Sequence, residues 1–222
     1  MERHFHEQLR ALEAKLETMG ALVEARVRDA MRALVERRAD LAVAVVAGDE
    51  AVNELELDVD DLSLQLLALQ HPVASDLRHV RSAIKVNTDL ERIGDQAVNI
   101  ADYALRLMHV PPLKPVFDVD RLATHALQML DDAMKAFSTK DSNLARSVIV
   151  RDADADDMRD AIFRVLLTHI MADPGTVERA LGLIFVSRAL ERVADHATNI
   201  AEDTIFLVEG RVVRHSSSAH DA

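Results

Sequence analysis

Read for periodicity, the chain opens with one long apolar stripe. Leu9, Leu12, Leu16, Met19, Val23, Val27, Ala30 and Leu34 step by three and four. That spacing lines one face of an α-helix, and it predicts a helix from about Phe5 to Arg38. Proline is absent before Pro72 and between Pro72 and Pro111; it clusters at Pro111, Pro112 and Pro115 and ends at Pro174. Proline starts and interrupts helices, so long helices are predicted between these marks. Asp40 reads as the cap of a second helix running to about Gln70, and Pro72 as the start of a third running to about Met108. Helices over about Asp120 to Ser138 and Ser142 to Met171 follow. Pro174 opens a sixth, which Gly210 closes as a C-cap.

The third and sixth helices carry near-copies of one motif, LERIGDQAVNIAD from Leu90 and LERVADHATNIAE from Leu190, offset by one hundred positions. Self-similarity at a long period means a duplicated structural unit. Short connections make sequential helices antiparallel. The expected fold is all-α, two tandem three-helix bundles: residues 1–112, residues 113–210 and a flexible tail over 211–222, with the stiff segment HVPPLKPV at the boundary.

Composition agrees. Ala, Leu and Val dominate, and there is no Trp and a single Tyr, which suits packed helices better than sheets. A formal net charge of −12 argues against a surface built for nucleic-acid phosphates. No cysteine means no disulfide frame, thiolate metal site or cysteine nucleophile. MERHFHEQLR lacks the apolar core of a signal peptide, and apolar runs such as Leu41 to Ala47 are too short to span a bilayer, so a soluble cytoplasmic protein is expected.

The candidate chemistry lies in the motif. Glu91 and Asp95, and again Glu191 and Asp195, stand at i, i+4 on one helical face. Counting back from the turns at Pro72 and Pro174 brings Asp49 and Asn53 level with the first pair, and Asp152 and Asp156 level with the second. On a wheel of the third helix Glu91, Asp95 and Asp102 fall at the border between the apolar side and a polar side carrying Arg81, Lys85, Arg92, Gln96 and Tyr103. Facing carboxylates repel unless bound cations, raised pKa values or interleaved arginines relieve them. A solvated charged face, with Arg92 and Arg192 pairing locally, is the plain reading; the duplication favours metal, more in the second unit than in the first. Oxygen-only ligands suit Mg²⁺, Mn²⁺, Ca²⁺ and iron. No Glu-x-x-His, HExxH, GxSxG or P-loop occurs. His196 reads as a surface histidine, Asn99 and Asn199 as helix-to-helix hydrogen-bonders or amide ligands, and Met19, Met129, Met134, Met158 and Met171 as core or core-edge filling.

HFHEQLRALEAKLETMGALVE, HPVASDLRHV, DLERIGDQAVNIA, ALERVADHATNIAE and VEGRVVRH together resemble the PhoU family of phosphate-transport accessory proteins, across essentially the whole chain. The resemblance implies two three-helix bundles and no enzymatic activity. It implies metal sites on E(D)xxxD motifs, here Glu91 with Asp95, Glu191 with Asp195, Asp152 with Asp156, and Asp49 with Asn53, holding Fe, Mn, Mg or Zn. Asn53 departs from the family's acid, which weakens the expected first site, and ERVAD replaces ERIGD without touching a ligand. The implied role is negative regulation of the phosphate-starvation response. The implied partners are the PstB ATPase of the phosphate ABC transporter and the sensor kinase PhoR, with homodimer formation and membrane association only through partners. The acidic stripes and the basic positions Arg81, Lys85 and Arg92 are the surfaces expected to carry it. A metal-dependent hydrolase or oxidase, or a plain scaffold, are the alternatives.

Overall fold

The computed structural model describes residues 2–70, 74–113 and 117–213. Pro72, Pro115 and the tail beyond 213 lie outside the described residues. The elements are α1 (Glu2–Glu36), α2 (Ala39–Ala47), α3 (Glu50–Gln70), α4 (Ala74–Leu107), α5 (Phe117–Thr139), α6 (Ser142–Val150), α7 (Asp152–Ala172), a 3₁₀ turn (Pro174–Thr176) and α8 (Val177–Glu209). No strand occurs among the described residues, and no helix among them is long and apolar enough to cross a membrane.

The architecture is two three-helix bundles in tandem. In repeat 1, α1, α2/α3 and α4 pack together; in repeat 2, α5, α6/α7 and α8 do. The predicted stripe on α1 is the core, with Leu12, Leu16, Met19, Val23, Val27 and Ala30 fully buried. The middle rod of each bundle is broken, where the periodicity predicts one helix. The first break lies at Gly48 and Asp49, where Asp49 donates its N–H to the Val46 carbonyl and Val52 to that of Asp49. The second lies at Arg151. Each break starts a fresh helix, at Glu50 or Asp152, and so sets Asp49 or Asp152 at the positive end of a helix dipole, which favours a carboxylate.

The caps differ from expectation in one place. Asp40 does not cap α2; it sits in the first turn, and Arg38 pairs with it at 2.5 Å. In repeat 2 Asp141 does cap α6, accepting the N–H groups of Asn143 and Leu144. Gly210 closes α8 at φ 69°, a left-handed conformation that glycine adopts without penalty. Arg37 and Lys140 hold φ 56° without being glycine, at corresponding ends of α1 and α5. Arg37 offsets that strain by donating to the carbonyls of Leu107, Met108 and Val110, which ties down the start of the linker.

The bundles meet along α4 and α8, with α1 against α5 behind them. Arg81 pairs with Asp203, Asp89 with His196, and Tyr103 stacks on Phe185, so α4 and α8 run antiparallel. This register sets Ile93 level with Val193, the same position of the two motifs, and a pseudo-two-fold axis passes there. His79, buried on α4, lies 2.8 Å from Glu13 of α1 and edge-on to Phe137 of α5. Its hydrogen bond, together with its charge and that of Lys140, holds the Glu13 carboxyl below the usual range despite burial.

Candidate functional site

The acid pairs on α4 and α8 face the starts of α3 and α7. In repeat 2 the Asp195 carboxyl is raised by burial and then by Asp152 and Asp156. Glu191 is raised by burial, Asp195 and Asp156, against the pull of Arg159 and Arg188. Asp152 is raised by burial and by Asp156, while a 3.1 Å hydrogen bond from Thr198 lowers it. The four carboxylates thus share one field. Arg159 reaches into it, 3.0 Å from Asp156, 3.8 Å from Glu191 and 2.7 Å from Asp160.

In repeat 1 burial and Asp95 raise Glu91, with Glu56 and Asp49 adding to the effect and Arg92 opposing it. Arg92 lies 3.4 Å from both Glu91 and Asp95. Buried Arg26 lies 3.6 Å from Asp49 and donates to the Val45 carbonyl at 3.3 Å. Asn53 donates to Asp49 at 3.4 Å. Glu56, which the counting from Pro72 passes over, is the further acid facing Glu91. Its spacing from Asp49, two helical turns, is the signal that could have found it.

The expected metal cofactor does not survive. Among the described residues no group of three or more His, Asp or Glu side chains comes together in a way that could hold a metal ion. The residues do not fit an ion of the Fe, Mn, Mg or Zn kind, because another remedy for facing carboxylates is already present: arginines stand between the acids. The eight positions Asp49, Asn53, Glu91, Asp95, Asp152, Asp156, Glu191 and Asp195 form two arginine-laced acidic faces.

The polar side of α4 is only partly an outer surface, with Arg92 exposed on it. Gln96 is buried, Tyr103 stacks on Phe185 with ring centroids 5.1 Å apart, and Arg81 pairs with Asp203 and lies over Phe206. His196 is likewise no free surface histidine: its Nδ1 is 2.8 Å from Asp89, which also accepts from Asn199. Asn99 donates along its own helix to Gln96. Met19 and Met129 are core, but Met171 is 77% exposed.

Both halves match the PhoU domain family, over residues 16–104 and 119–204. The chain belongs to the PhoU family. A Caulobacter vibrioides relative described as a phosphate-specific transport system accessory protein PhoU homolog is 39% identical over 209 residues, covering 94% of this chain and 91% of the relative. A Pseudomonas aeruginosa relative of the same description is 37% identical over 214 residues, covering 96% and 88%. The crystal structure of PhoU from Pseudomonas aeruginosa superposes with a TM-score of 0.91 over 93% of this chain and all of that one, at 37% identity. The phosphate transport system regulatory protein PhoU from Streptococcus pneumoniae superposes at 0.88 over 94% of this chain and 99% of that one, at 28% identity. Membership makes the chain a regulatory protein rather than an enzyme.

Proposed function

We propose that this protein is a cytoplasmic adaptor that restrains the phosphate-starvation response, linking the PstB ATPase of the phosphate ABC transporter to the sensor histidine kinase PhoR. The observation that carries the reading is the PhoU-domain match on both repeats. Two features support it. The chain is a helical scaffold that carries two acidic faces, Asp49–Glu91–Asp95 and Asp152–Asp156–Glu191–Asp195, which a partner can read. A formal net charge of −12 favours protein partners over nucleic acid and leaves membrane association to those partners. Homodimer formation belongs to the same reading, and analytical ultracentrifugation tests it.

The decisive experiment is genetic. Deleting the gene should switch on phosphate-starvation genes in high phosphate, and a plasmid copy should silence them. Normal repression in the deletion strain would refute the regulatory reading.

A further inference from the structure

The acidic face of repeat 2 does not end at its acids. Beyond them, toward the α7–α8 turn, lie large apolar side chains open to solvent: Phe163 at 44%, Leu167 at 42%, Met171 at 77%, Val177 at 37% and Leu181 at 42%. Their spacing makes them one surface. Phe163, Leu167 and Met171 step by four along α7, so they share a stripe. Phe163 is seven residues, about two turns, past Asp156, so that stripe continues the acidic one. On α8, Val177 lies eighteen residues, about five turns, before Asp195 and therefore on its line. Met171 and Val177 are each three residues from Pro174, and Leu167 and Leu181 each seven, so the two columns are level across the hairpin.

Repeat 1 lacks this continuity. The positions equivalent to Phe163 and Leu181 are Asp60 and Arg81. Asp60 accepts a hydrogen bond from Asn87, and Arg81 is held by Asp203 and Phe206. Leu57, Leu64 and Leu77 remain exposed there, but along α3 and α4 Asp60 and Arg81 lie between Leu64 and Leu77 and the acids of that repeat. Apolar side chains left in water over such a stretch mark an interaction surface.

We propose that the α7–α8 face of repeat 2 is a docking groove for an amphipathic helix of a partner protein, one that carries apolar residues at i, i+4 and i+7 and a cluster of Lys and Arg about 16 Å further along. Charge selects this occupant. Five of the nine residues 152–160 are aspartate and one is arginine, and Glu191 and Asp195 face them from α8. Such a border attracts a basic segment. At this face a second copy presenting the same aspartates, or an anionic lipid surface, would be repelled. The proposal rests on the adaptor reading and specifies the surface and chemistry that serve it.

Two measurements test it. The probe is a fluorescein-labelled 20-residue helix with Leu and Phe on one face of its first half and four Lys in its second. The comparison peptide has the same composition in scrambled order. Wild-type protein should bind the ordered peptide at least ten-fold more tightly, and binding should weaken with added salt. The exposed-site double variant Phe163→Asp/Leu181→Asp, shown to fold by circular dichroism, should lose at least ten-fold, whereas Leu64→Asp in repeat 1 should bind normally. Equal binding of both peptides, or undiminished binding by the double variant, overturns the proposal. A wild-type dimer that dissociates only in the double variant overturns it in favour of a second copy. Binding to phosphatidylserine vesicles that the double variant loses overturns it in favour of a membrane. In the deletion strain the wild-type gene should restore repression and the double variant should fail. If both restore it, the groove is wrong and the regulatory reading stands; if the deletion itself changes nothing, that reading is what fails.

Discussion

The two repeats solve one problem with different residues. Each has a broken middle rod with an aspartate at the break and an acid pair facing it, and each places a guanidinium there. In repeat 1 it comes from α1: a Cβ on Gly48 would lie 2.2 Å from the Arg26 guanidinium, so Arg26 fills the space a side chain at 48 would take. In repeat 2 the residue equivalent to Gly48 is Arg151, whose own side chain reaches Asp132 at 2.7 Å, and the residue equivalent to Arg26 is the buried Met129. Further along, the glutamate of repeat 1, Glu56, has Arg159 as its counterpart. The recurring requirement is positive charge near the break. Which backbone position supplies it is free to change.

The sharpest way to break this comparison is to move one repeat toward the other. Arg26→Met leaves Asp49 and the Val45 carbonyl without their buried donor and should cost about 2–3 kcal/mol in urea denaturation. Gly48→Arg alone should also destabilise, because the new side chain collides with Arg26. The double variant reproduces repeat 2, with Asp29 at the position of Asp132, and should cost clearly less than the sum. Strict additivity would show that the two guanidinium positions are not equivalent.

A second swap concerns volume. Gly94 faces Val52, whose Cγ1 would stand 3.2 Å from an added Cβ. The equivalent pair in repeat 2 is Ala194 and Ala155, both buried. Val52→Ala should cost about 2 kcal/mol through the cavity it leaves. Adding Gly94→Ala should then recover about 1 kcal/mol, from helix propensity and the returned methyl group. No recovery would mean that α3 and α4 cannot close up as α7 and α8 do.

Across the seam, Asp89→Ala installs the residue that repeat 2 has at position 189. It removes the acceptor of His196 and Asn199 and should cost about 1–2 kcal/mol, read by thermal denaturation. The smallest effect is electrostatic. Burial and neighbouring acids raise the carboxyls of Asp152, Glu191, Asp195 and Glu91. In that window the folded chain binds more protons than the unfolded one, so stability falls as pH rises. Lowering the pH from 7 through the raised values toward about pH 4, the ordinary carboxylate range, should therefore raise Tm. Below that range the lowered Glu13 protonates and its contribution is lost. Glu191→Gln should add about 0.3 kcal/mol at pH 7 and flatten the rise in Tm; a Tm that only falls on acidification would contradict the carboxylate coupling.

Much of this was legible beforehand, for physical reasons that also explain the rest. The stripe from Leu9 to Leu34 is unbroken because one face of α1 is wholly buried, and Gly210 stops α8 because only its conformation fits. The helix breaks were hidden because Val45 and Val52 straddle the first and Val148 and Ala155 the second at a seven-residue spacing. That spacing is also what an unbroken helix would show. Arg81 and Tyr103 look hydrated in isolation, but they pack on α8 through Asp203, Phe206 and Phe185, partners far away in sequence. The metal expectation failed for a similar reason. Arg159 stands three residues after Asp156, an ordinary surface spacing, and only the packing of α7 on α8 brings it to Glu191.

The antiparallel meeting of α4 and α8, with Ile93 level with Val193, has a further meaning. A contact built around a two-fold axis is isologous: each half offers the other the same patch and receives it back. The seam therefore has the form of a homodimer interface, with the two subunits joined end to end as one polypeptide. The join from residue 108 to 116 replaces a bimolecular association with an intramolecular one at an effective concentration in about the millimolar range. Docking of the halves then no longer depends on how much protein a cell makes. Once tethered, the two patches no longer had to stay identical, and the Asp89–His196 contact, whose mirror image is Ala189 and Gln96, records that freedom.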